Sequence, residues 1–509
     1  MTILGHPAGL FLLFLVEMWE RFSYYGMRGL LVLYLVQSAS PVADATGFVN
    51  PGRGWSRADA SVLYGWYTGM AYLLPIVGGW IADRVLGTHR SMIVGGLVIA
   101  LGHTVLAVSG IGSLASSAMG MSVFVFGLAL IVIGTGHFKP CVSVMVGQLY
   151  DEGDARRDGA FTIFYMGINL GAFLAAFVCG TLGERVGWHW GFGSAAVGML
   201  AGLALYVTFR ARLLDDIGRP PDGPDRTIPV ALAGIGIAAL AALLHHTGML
   251  ATLGTVLAGR SVTTALAIGA VAWTVWFVGR LAPEERGPTT TIFVFMLFNA
   301  VFWLAFEQAG SSLNLFTDLR TDRFLGGYEV PTTWFQSINA GLIFILAPLF
   351  AALWSWLGRR GRDPGQPVKI ALGLLFLALG YLFMVAAGRI ASDPAVKASM
   401  LLIVATYFWH TVGELCLSPT GLSYVTKAAP ARYVSLLMGV WFVSTFLANL
   451  GGGLVAAQVE QIERGEVRLP WHLGGQADFF MLFVVSSAAA AVLILALSPW
   501  LRRLARGVE

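Results

Sequence analysis

The sequence predicts an all-α integral membrane protein. Apolar stretches recur along most of the chain, each close to the ~20 residues that an α-helix needs to cross the hydrocarbon of a bilayer. Hydrophobic residues make up 57% of the 509 residues and charged residues only 12%, and the mean hydropathy is +0.73. Soluble domains do not have this composition.

The apolar runs between charged or turn-rich breaks predict fourteen transmembrane helices. A turn-rich linker, Leu213 to Ile228, follows the sixth of them. The resulting pattern of six, two and six helices predicts an N-terminal six-helix bundle (1–212), a linker with an inserted two-helix hairpin (213–287) and a C-terminal six-helix bundle (288–509). The predicted spans are 10–37, 58–81, 91–110, 121–149, 159–182, 190–210, 228–245, 261–280, 289–316, 333–357, 368–388, 398–425, 433–457 and 477–500.

The basic residues of the loops predict the orientation. Nineteen Lys and Arg residues fall in the loops on one side of the membrane and ten in the loops on the other. The more basic side is normally cytoplasmic, so both termini are predicted to be cytoplasmic. These loop charges account for the net charge of +4, which therefore does not indicate nucleic-acid binding. Residues 10–37 lack the features of a cleaved secretory signal and are predicted to be a retained span.

The first predicted span carries four charges within the segment 17–28, with apolar residues on both sides. Each charge costs at least ~2.5–3.5 kcal/mol in the bilayer core, so such residues usually face a bundle interior or a wet pathway. Their spacing places them on one face of a helix with 3.6 residues per turn. This stripe predicts one wall of a polar cavity and consists of Glu17, Glu20, Arg21, Tyr24, Tyr25 and Arg28.

Three basic and four acidic residues lie within the predicted spans, and they come from both bundles, as a site at a repeat interface requires. Their sum is one negative charge, which a single bound proton would neutralise. Glu307 follows an apolar run and could instead lie at a helix end. The seven residues are Glu17, Glu20, Arg21, Arg28, Lys139, Glu307 and Glu414.

Five segments carry recognisable motifs. Segment 17–26 reads ExxERFxYYG, 164–171 reads FYxxINxG, 79–87 follows GxxxDRx(x)G, 134–140 places a lysine before a proline in a span, and 413–419 begins Gly-Glu. Together these segments resemble the proton-dependent oligopeptide transporters, a branch of the major facilitator superfamily, and the resemblance covers essentially the whole chain. Segment 134–140 lacks the Gly-Lys-Ser/Thr of a phosphate-binding loop and lies within a membrane helix.

The resemblance implies the fold of the major facilitator superfamily, with two six-helix bundles and two inserted helices. It implies a proton-coupled symporter that imports di- and tripeptides across the cytoplasmic (inner) membrane by alternating access, working without a cofactor and as a monomer. No nucleophile and base stand together in the sequence, so an enzyme is not expected. The alternative is a transporter of the same family that moves another solute, such as nitrate or a conjugated metabolite.

The resemblance also assigns roles to residues. Arg28 and Lys139 suit the peptide carboxylate, Arg through its bidentate fork and Lys as a point charge, whereas Glu414 and Asn339 suit the ammonium. The implied proton-coupling residues are Glu17, Glu20, Arg21 and Glu307. Glu307 is also expected to contact substrate, and Arg28–Glu307 and Lys139–Glu414 are expected to pair as gates. The other implied substrate contacts are Tyr25, Tyr34, Tyr72, Tyr165, Asn169, Trp303, Ser418 and Trp441.

Several histidines lie in or beside spans, and imidazole titrates near pH 6.5. We interpret them as structural, because mammalian relatives carry their functional histidine directly after the tyrosine that aligns with Tyr64, and Gly65 stands there in this sequence. Proton coupling should therefore rest on carboxylates. No His-Glu-x-x-His zinc motif occurs, and the three cysteines lie in apolar runs, so disulfides are not expected. The histidines concerned are His103, His137, His245 and His246.

Overall fold

The computed structural model describes residues 2–40, 42–43, 47–151, 153–154, 156–220 and 223–505, and only the backbone at residues 158, 258, 260 and 418–423. The long helices are α1 (Ala8–Val36), α2 (Arg57–Ile81), α3 (Gly87–Val108), α4 (Ala118–Gln148), α5 (Arg157–Ala175), α7 (Trp188–Leu213), α8 (Thr227–His246), α10 (Arg260–Gly279), α11 (Pro283–Phe306), α13 (Trp334–Arg359), α14 (Gln366–Ile390), α15 (Met400–Ala428), α16 (Val434–Ala456) and α18 (Ala477–Leu504).

Short elements connect the long helices. The short helices are α6 (Thr181–Arg185), α9 (Met249–Ala258), α12 (Ser312–Arg320) and α17 (Val459–Glu463). Two-residue strands form three small pairs: β1 (Thr2–Ile3) with β2 (His6–Pro7), β3 (Thr321–Asp322) with β6 (Ala398–Ser399), and β4 (Phe324–Leu325) with β5 (Tyr328–Glu329). Only the pair β3–β6 is parallel among those described.

The fourteen predicted spans correspond to the fourteen long helices. Twelve stretches of the described residues are long and apolar enough to cross a membrane, and one of them, Arg57–Val108, contains both α2 and α3. Helix α1 is as long as these spans but carries four charges. Most predicted ends agree within four residues. The largest differences are at α11, which spans Pro283–Phe306 instead of 289–316, and at α5, which ends at Ala175 instead of 182.

The segment expected as a loop after the second span is helical. Residues Ala82–Leu86 form a π-helical turn that joins α2 directly to α3. Gly87 follows it with φ +73°, and a Cβ there would lie 2.6 Å from Pro220 Cα. Glycine is therefore required both by the backbone conformation and by the close approach of the linker.

Contacts divide the chain into two compact units. Unit 1 comprises Met1–His246, Ala309–Leu319 and Arg323–Phe344, and unit 2 comprises Thr247–Gln308, Arg320–Asp322 and Ile345–Glu509. These units follow contacts rather than repeat symmetry, so the division into two six-helix bundles and a hairpin stays a prediction. The two inserted helices fall in different units: α8 packs on α4 and α3, and α10 packs on α11 and α9.

Small residues let the helices of each unit approach closely, as is common in membranes. In unit 1, where α1 packs on α5 and α7, helices α3 and α4 meet at Gly95 and Gly134. A Cβ on either glycine would lie 2.7 Å from the carbonyl oxygen of the other. In unit 2, α14 and α15 meet at Gly373 and Gly413, where the corresponding distances are 3.0 and 2.7 Å. The latter contact fixes the turn of α15 that carries Glu414.

Candidate functional site

The polar stripe of α1 lies inside the protein. Its four charged residues are between 0% and 7% exposed, and Tyr24 is buried as well, while Tyr25 is half-buried. Helix α1 is continuous through the stripe because no proline or glycine pair interrupts it, so the 3.6-residue spacing holds throughout. The stripe is thus an internal polar surface on an otherwise apolar helix.

Two carboxylates of the stripe share one guanidinium. Arg21 Nε lies 3.1 Å from Glu17 Oε1 and 2.5 Å from Glu20 Oε2. The outer oxygens Glu17 Oε2 and Glu20 Oε1 accept no hydrogen bond from any described residue. Two carboxylates on one cation leave one negative charge in excess. The role of this cluster in proton coupling stays a prediction.

Aromatic rings extend from this cluster towards Arg28. The guanidinium of Arg21 lies 5.3 Å from the ring centre of Tyr24, and the ring of Tyr24 meets that of Tyr25 edge to face at 5.3 Å. Arg28 lies 5.6 Å from the Tyr25 ring. Its Nε donates to the Tyr64 hydroxyl of α2 at 2.6 Å. This hydrogen bond orients the guanidinium fork, whose terminal nitrogens are the groups that grip a carboxylate in a bidentate pair.

Lys139 lies on α4 against α2. Its Nζ is 3.8 Å from the ring centre of Tyr72, a cation–π distance. Pro140 follows and cannot donate a hydrogen bond to the Gly136 carbonyl. That carbonyl faces Gly78 of α2, where a Cβ would overlap it. The proline and the glycine therefore bring the lysine turn of α4 close to α2.

Other predicted contacts of unit 1 lie on α5 and α13. Asn169 is buried and its Nδ2 donates to the Tyr165 carbonyl at 3.0 Å, while Tyr165 is 39% exposed. Asn339 is half-buried on the part of α13 that belongs to unit 1.

Tyr34 has a different environment from the charged residues of α1. It lies in an aromatic cluster with Phe124, Trp188 and Phe192. Its hydroxyl accepts a hydrogen bond from Arg53 Nε at 2.7 Å. These contacts hold the end of α1 in place, and the structure does not bring Tyr34 together with the stripe.

The remaining predicted residues belong to unit 2. Trp303 donates from Nε1 to Asn299 Oδ1 at 3.1 Å and packs edge to face against Phe302 and Phe306. Helix α11 ends there, and Glu307 begins a short 3-10 helix, yet Glu307 is only 5% exposed. Glu307 therefore lies at a helix end, and its place in the charged site stays a prediction.

On α15 and α16, unit 2 buries a second acid and a second tryptophan. Glu414 is 7% exposed and Trp441 is 6% exposed. The Trp441 carbonyl accepts a hydrogen bond from Ser444 Oγ at 2.7 Å. The side chain of Ser418, predicted to line the same pocket, lies outside the described residues.

Sequence reasoning did not assign Tyr64 and Tyr67 to the site. Tyr67 is buried, stacks on Tyr24 at 6.3 Å, and its hydroxyl has no hydrogen-bond partner among the residues described. The signal was present in the sequence, because positions 64, 67 and 72 lie at helical spacing on one face of α2. A tyrosine in an apolar run is more often a packing residue, so the sequence alone did not distinguish Tyr64 and Tyr67 from packing residues.

The histidines have contacts away from the charge cluster. His137 bonds to Ser91 at 3.1 Å, and His245 and His246 lie 3.1 and 3.3 Å from the Ser122 hydroxyl. His103 is fully buried in α3. In the part of the chain that the structure describes, no three His, Cys, Asp or Glu side chains are placed to hold a metal ion.

Comparison with known proteins identifies close relatives. The sequence profile of the POT family matches residues 89–471. A peptide transporter of Yersinia enterocolitica, YePEPT, is 37% identical over 100% of this chain and 97% of its own. A di-/tripeptide transporter of Lactococcus lactis subsp. cremoris is 35% identical over 91% of this chain and 90% of its own.

Solved structures agree with these relatives. A mutant POT peptide transporter in complex with alafosfalin has a TM-score of 0.81 and 36% sequence identity, over 100% of this chain and 97% of that one. A POT family transporter in complex with 5-aminolevulinic acid has a TM-score of 0.80 at 29% identity, over 98% of each chain. The chain is thus a multi-pass membrane protein with the fold of the major facilitator superfamily, as predicted.

Proposed function

Because the chain belongs to the POT family of transporters, we propose that it is a proton-coupled symporter that imports di- and tripeptides by alternating access. One observation carries the proposal: a buried pair of carboxylates shares one guanidinium, two turns along α1 from an oriented Arg28. A proton site and an anion site thus lie on one rigid helix.

The relatives support the substrate class. Proteins with 35–37% identity are named as peptide or di-/tripeptide transporters, and a related structure holds alafosfalin. The family is one of transporters, which confirms that the chain is not an enzyme.

The substrate residues follow from the two ends of a peptide. Arg28 and Lys139 are the cations for its carboxylate, and Glu414 with Asn339 is the partner for its ammonium. Glu307, Trp303 and Trp441 complete the proposed set, together with Tyr25, Tyr72, Tyr165 and Asn169. Recognition of both ends leaves the peptide side chains unspecified, so one site accepts many sequences.

The proton is proposed to bind at Glu17 and Glu20, whose single excess charge it neutralises. Neutralisation removes the attraction of one carboxylate for Arg21. The relative free energies of conformations in which the surroundings of α1 differ then change. A zwitterionic peptide with one proton carries one net charge inwards, and ~100 mV of membrane potential contributes about 2.3 kcal/mol to that step.

The proposed setting is the inner membrane, with both termini in the cytoplasm, as the distribution of basic loop residues indicates. The lipid bilayer, peptides and protons are the only partners required. The proposed transporter works as a monomer, without a cofactor or nucleic acid.

Uptake of labelled dialanine into liposomes that contain the purified protein tests this function. We expect accumulation that depends on an inward proton gradient and is inhibited by unlabelled di- and tripeptides. Free amino acids and tetrapeptides should compete poorly, because their two ends are spaced differently. The proposal would be contradicted if unlabelled dialanine did not inhibit the uptake of labelled dialanine, or if nitrate or a conjugated metabolite inhibited it instead.

A further inference from the structure

The end of α6 is bonded to the segment that precedes α13, and both lie in unit 1. Glu184 on α6 accepts three hydrogen bonds from two adjacent threonines. Its Oε2 accepts from the Thr332 amide at 2.8 Å, and its Oε1 accepts from the Thr333 amide at 2.9 Å and from the Thr333 hydroxyl at 2.7 Å. One turn of α6 away, Thr181 Oγ1 accepts from Trp334 Nε1 at 2.8 Å.

Ion pairs surround this contact but use other carboxylates. Arg323 lies 3.3 Å from Asp318 and 2.9 Å from Glu329, and Arg185 lies 3.5 Å from Glu329. Asp318 also accepts from the Thr332 hydroxyl at 2.9 Å. Among the described residues, neither arginine forms an ion pair with Glu184, so its charge is met by amide and hydroxyl donors.

Glu184 acts as a cap supplied by another helix. Helix α13 begins at Trp334, and the two amides that Glu184 binds belong to Thr332 and Thr333, directly before it. A carboxylate at this end of a helix is favoured by the helix dipole. Protonation would place an O–H donor among N–H and O–H donors, and a neutral acid is a weaker acceptor than a carboxylate.

The capped segment is a junction in the chain. Residues 309–319 and 323–344 belong to unit 1, but the chain enters them from α11 and leaves them through the second half of α13, both of which belong to unit 2. The chain therefore passes from unit 2 into this stretch and back into unit 2. The Glu184 contact attaches the stretch to the rest of unit 1. Under the proposed function, alternating access changes contacts between segments of the chain, and this attachment is in a position to form and break with that change.

We propose that Glu184 is a latch that a proton releases. A cavity of about 200 Å³ reaches it, lined among others by Arg185, Asp318, Arg323 and Glu329, so water can deliver the proton. Among the residues described, Asp318, Arg323 and Glu329 are the charged groups that face it from neighbouring elements, and Arg185 adjoins it on α6 itself. The proton binds a Glu184 oxygen, the bonds from Thr332 and Thr333 weaken, and the segment before α13 separates from α6. Loss of the same proton restores the three bonds.

A cysteine at position 336 reports whether this attachment is closed. Gln336 lies in the first turn of α13 beside Gly29 of α1, and its buried Nε2 has no hydrogen-bond partner among the residues described. Gln336→Cys therefore removes no contact of the latch. The native cysteines at 141, 179 and 416 are buried and give a low background with a maleimide probe.

The experiment measures the maleimide labelling rate of full-length Gln336→Cys protein in detergent, without peptide. We expect the rate to rise roughly tenfold or more between about pH 8 and about pH 5.5, because the protonated acid loses acceptor capacity and all three bonds weaken. With Glu184→Gln added, the rate should be high at every pH and independent of pH. With Arg185→Gln added, which removes the adjacent contacts to Glu329 and Tyr328 but none of the three bonds to Glu184, the pH dependence should remain.

An unchanged pH dependence in the Glu184→Gln background would overturn the proposal, as would a rate in Gln336→Cys alone that does not respond to pH. Labelling does not require transport, so a failed latch and a failed peptide symporter are distinguishable by the dialanine assay. If Glu184→Gln does not fold, Glu184→Asp serves instead. Its shorter carboxylate cannot reach all three donors, so the rate at about pH 8 should rise and the pH response shrink.

Discussion

Unit 1 stabilises carboxylates in two different ways. At α1, Glu17 and Glu20 share the guanidinium of Arg21, so the cluster keeps one negative charge in excess. At the end of α6, Glu184 has no cation partner among the residues described and accepts from two amides and a hydroxyl. The first arrangement lies within one helix and is the proposed proton site, whereas the second joins parts of the chain that are distant in sequence.

The largest effect should follow from removing the cation of the α1 cluster. Arg21→Gln leaves two carboxylates, both at most 5% exposed, without the guanidinium that they share, and breaking a buried pair typically costs about 3–5 kcal/mol. We expect a marked fall in the thermal unfolding midpoint in detergent and loss of both driven uptake and exchange.

Arg185→Gln is the matched control for Arg21→Gln. Its pair with Glu329 is about one-third exposed on each side, and exposed pairs contribute only about 0–1 kcal/mol. The unfolding midpoint should therefore barely change. Equal losses of stability in the two variants would show that burial does not distinguish these ion pairs.

The second prediction separates proton transport from peptide binding. Glu20→Gln or Glu17→Gln removes a titratable group but keeps the size and hydrogen-bonding groups of the side chain. Uphill uptake driven by a pH gradient should be lost, while peptide-for-peptide exchange should persist at least in part, because exchange needs no net proton movement. Both rates are measured in the same liposomes.

Glu184→Gln is informative in the same assay. It alters a latch and leaves the α1 carboxylates intact, so driven uptake should stay coupled to the proton gradient even if its rate changes. If Glu17→Gln and Glu20→Gln still concentrate peptide at wild-type rates, the proton site lies elsewhere and Glu307 becomes the next candidate.

The sequence predicted the first arrangement and not the second, for a physical reason. Charges inside an apolar run are anomalous wherever they point, so the α1 stripe and the fourteen spans could be identified from spacing and hydropathy alone. Glu184 stands beside Arg185 at the end of a span, where charges are ordinary. Its donor Thr332 lies 148 positions away in the sequence, and only the tertiary fold brings them together.

The same reasoning explains the differences at the tyrosines. Tyr34 lies on α1 beyond the stripe, and the resemblance implied that it contacts substrate. In the structure it bonds to Arg53 and packs in an aromatic cluster. Tyr64 has no anomalous sequence context, yet its hydroxyl accepts from Arg28. The hydrogen-bond partner of a hydroxyl depends on how neighbouring helices pack. The residue pattern along one helix carries no information about that packing.

The third prediction tests the orientation of Arg28. Tyr64→Phe removes the acceptor of the Arg28 Nε–H at 2.6 Å. Hydrogen bonds to charged groups contribute about 1.5–3 kcal/mol, so the KM for dialanine should rise about tenfold or more, with driven uptake still coupled to protons. Tyr206→Phe, which removes another buried hydroxyl of unit 1 that bonds to His89, should leave KM unchanged. A similar rise in both variants would indicate a general packing defect.

The smallest effect should come from trimming the latch by one bond. Thr333→Val removes the hydroxyl that donates to Glu184 and keeps both backbone donors and the carboxylate, at a cost of about 1 kcal/mol or roughly fivefold in an equilibrium. Maleimide labelling of Gln336→Cys at about pH 8 should therefore rise by up to that factor and still increase as the pH falls. Thr332→Val is the matched variant, because its hydroxyl donates to Asp318 and only its amide reaches Glu184. It should leave the labelling rate closer to that of the parent. If the two threonine variants behave alike, the network responds as a whole, and the distinction between a latch made by Glu184 and the ion pairs around it is lost.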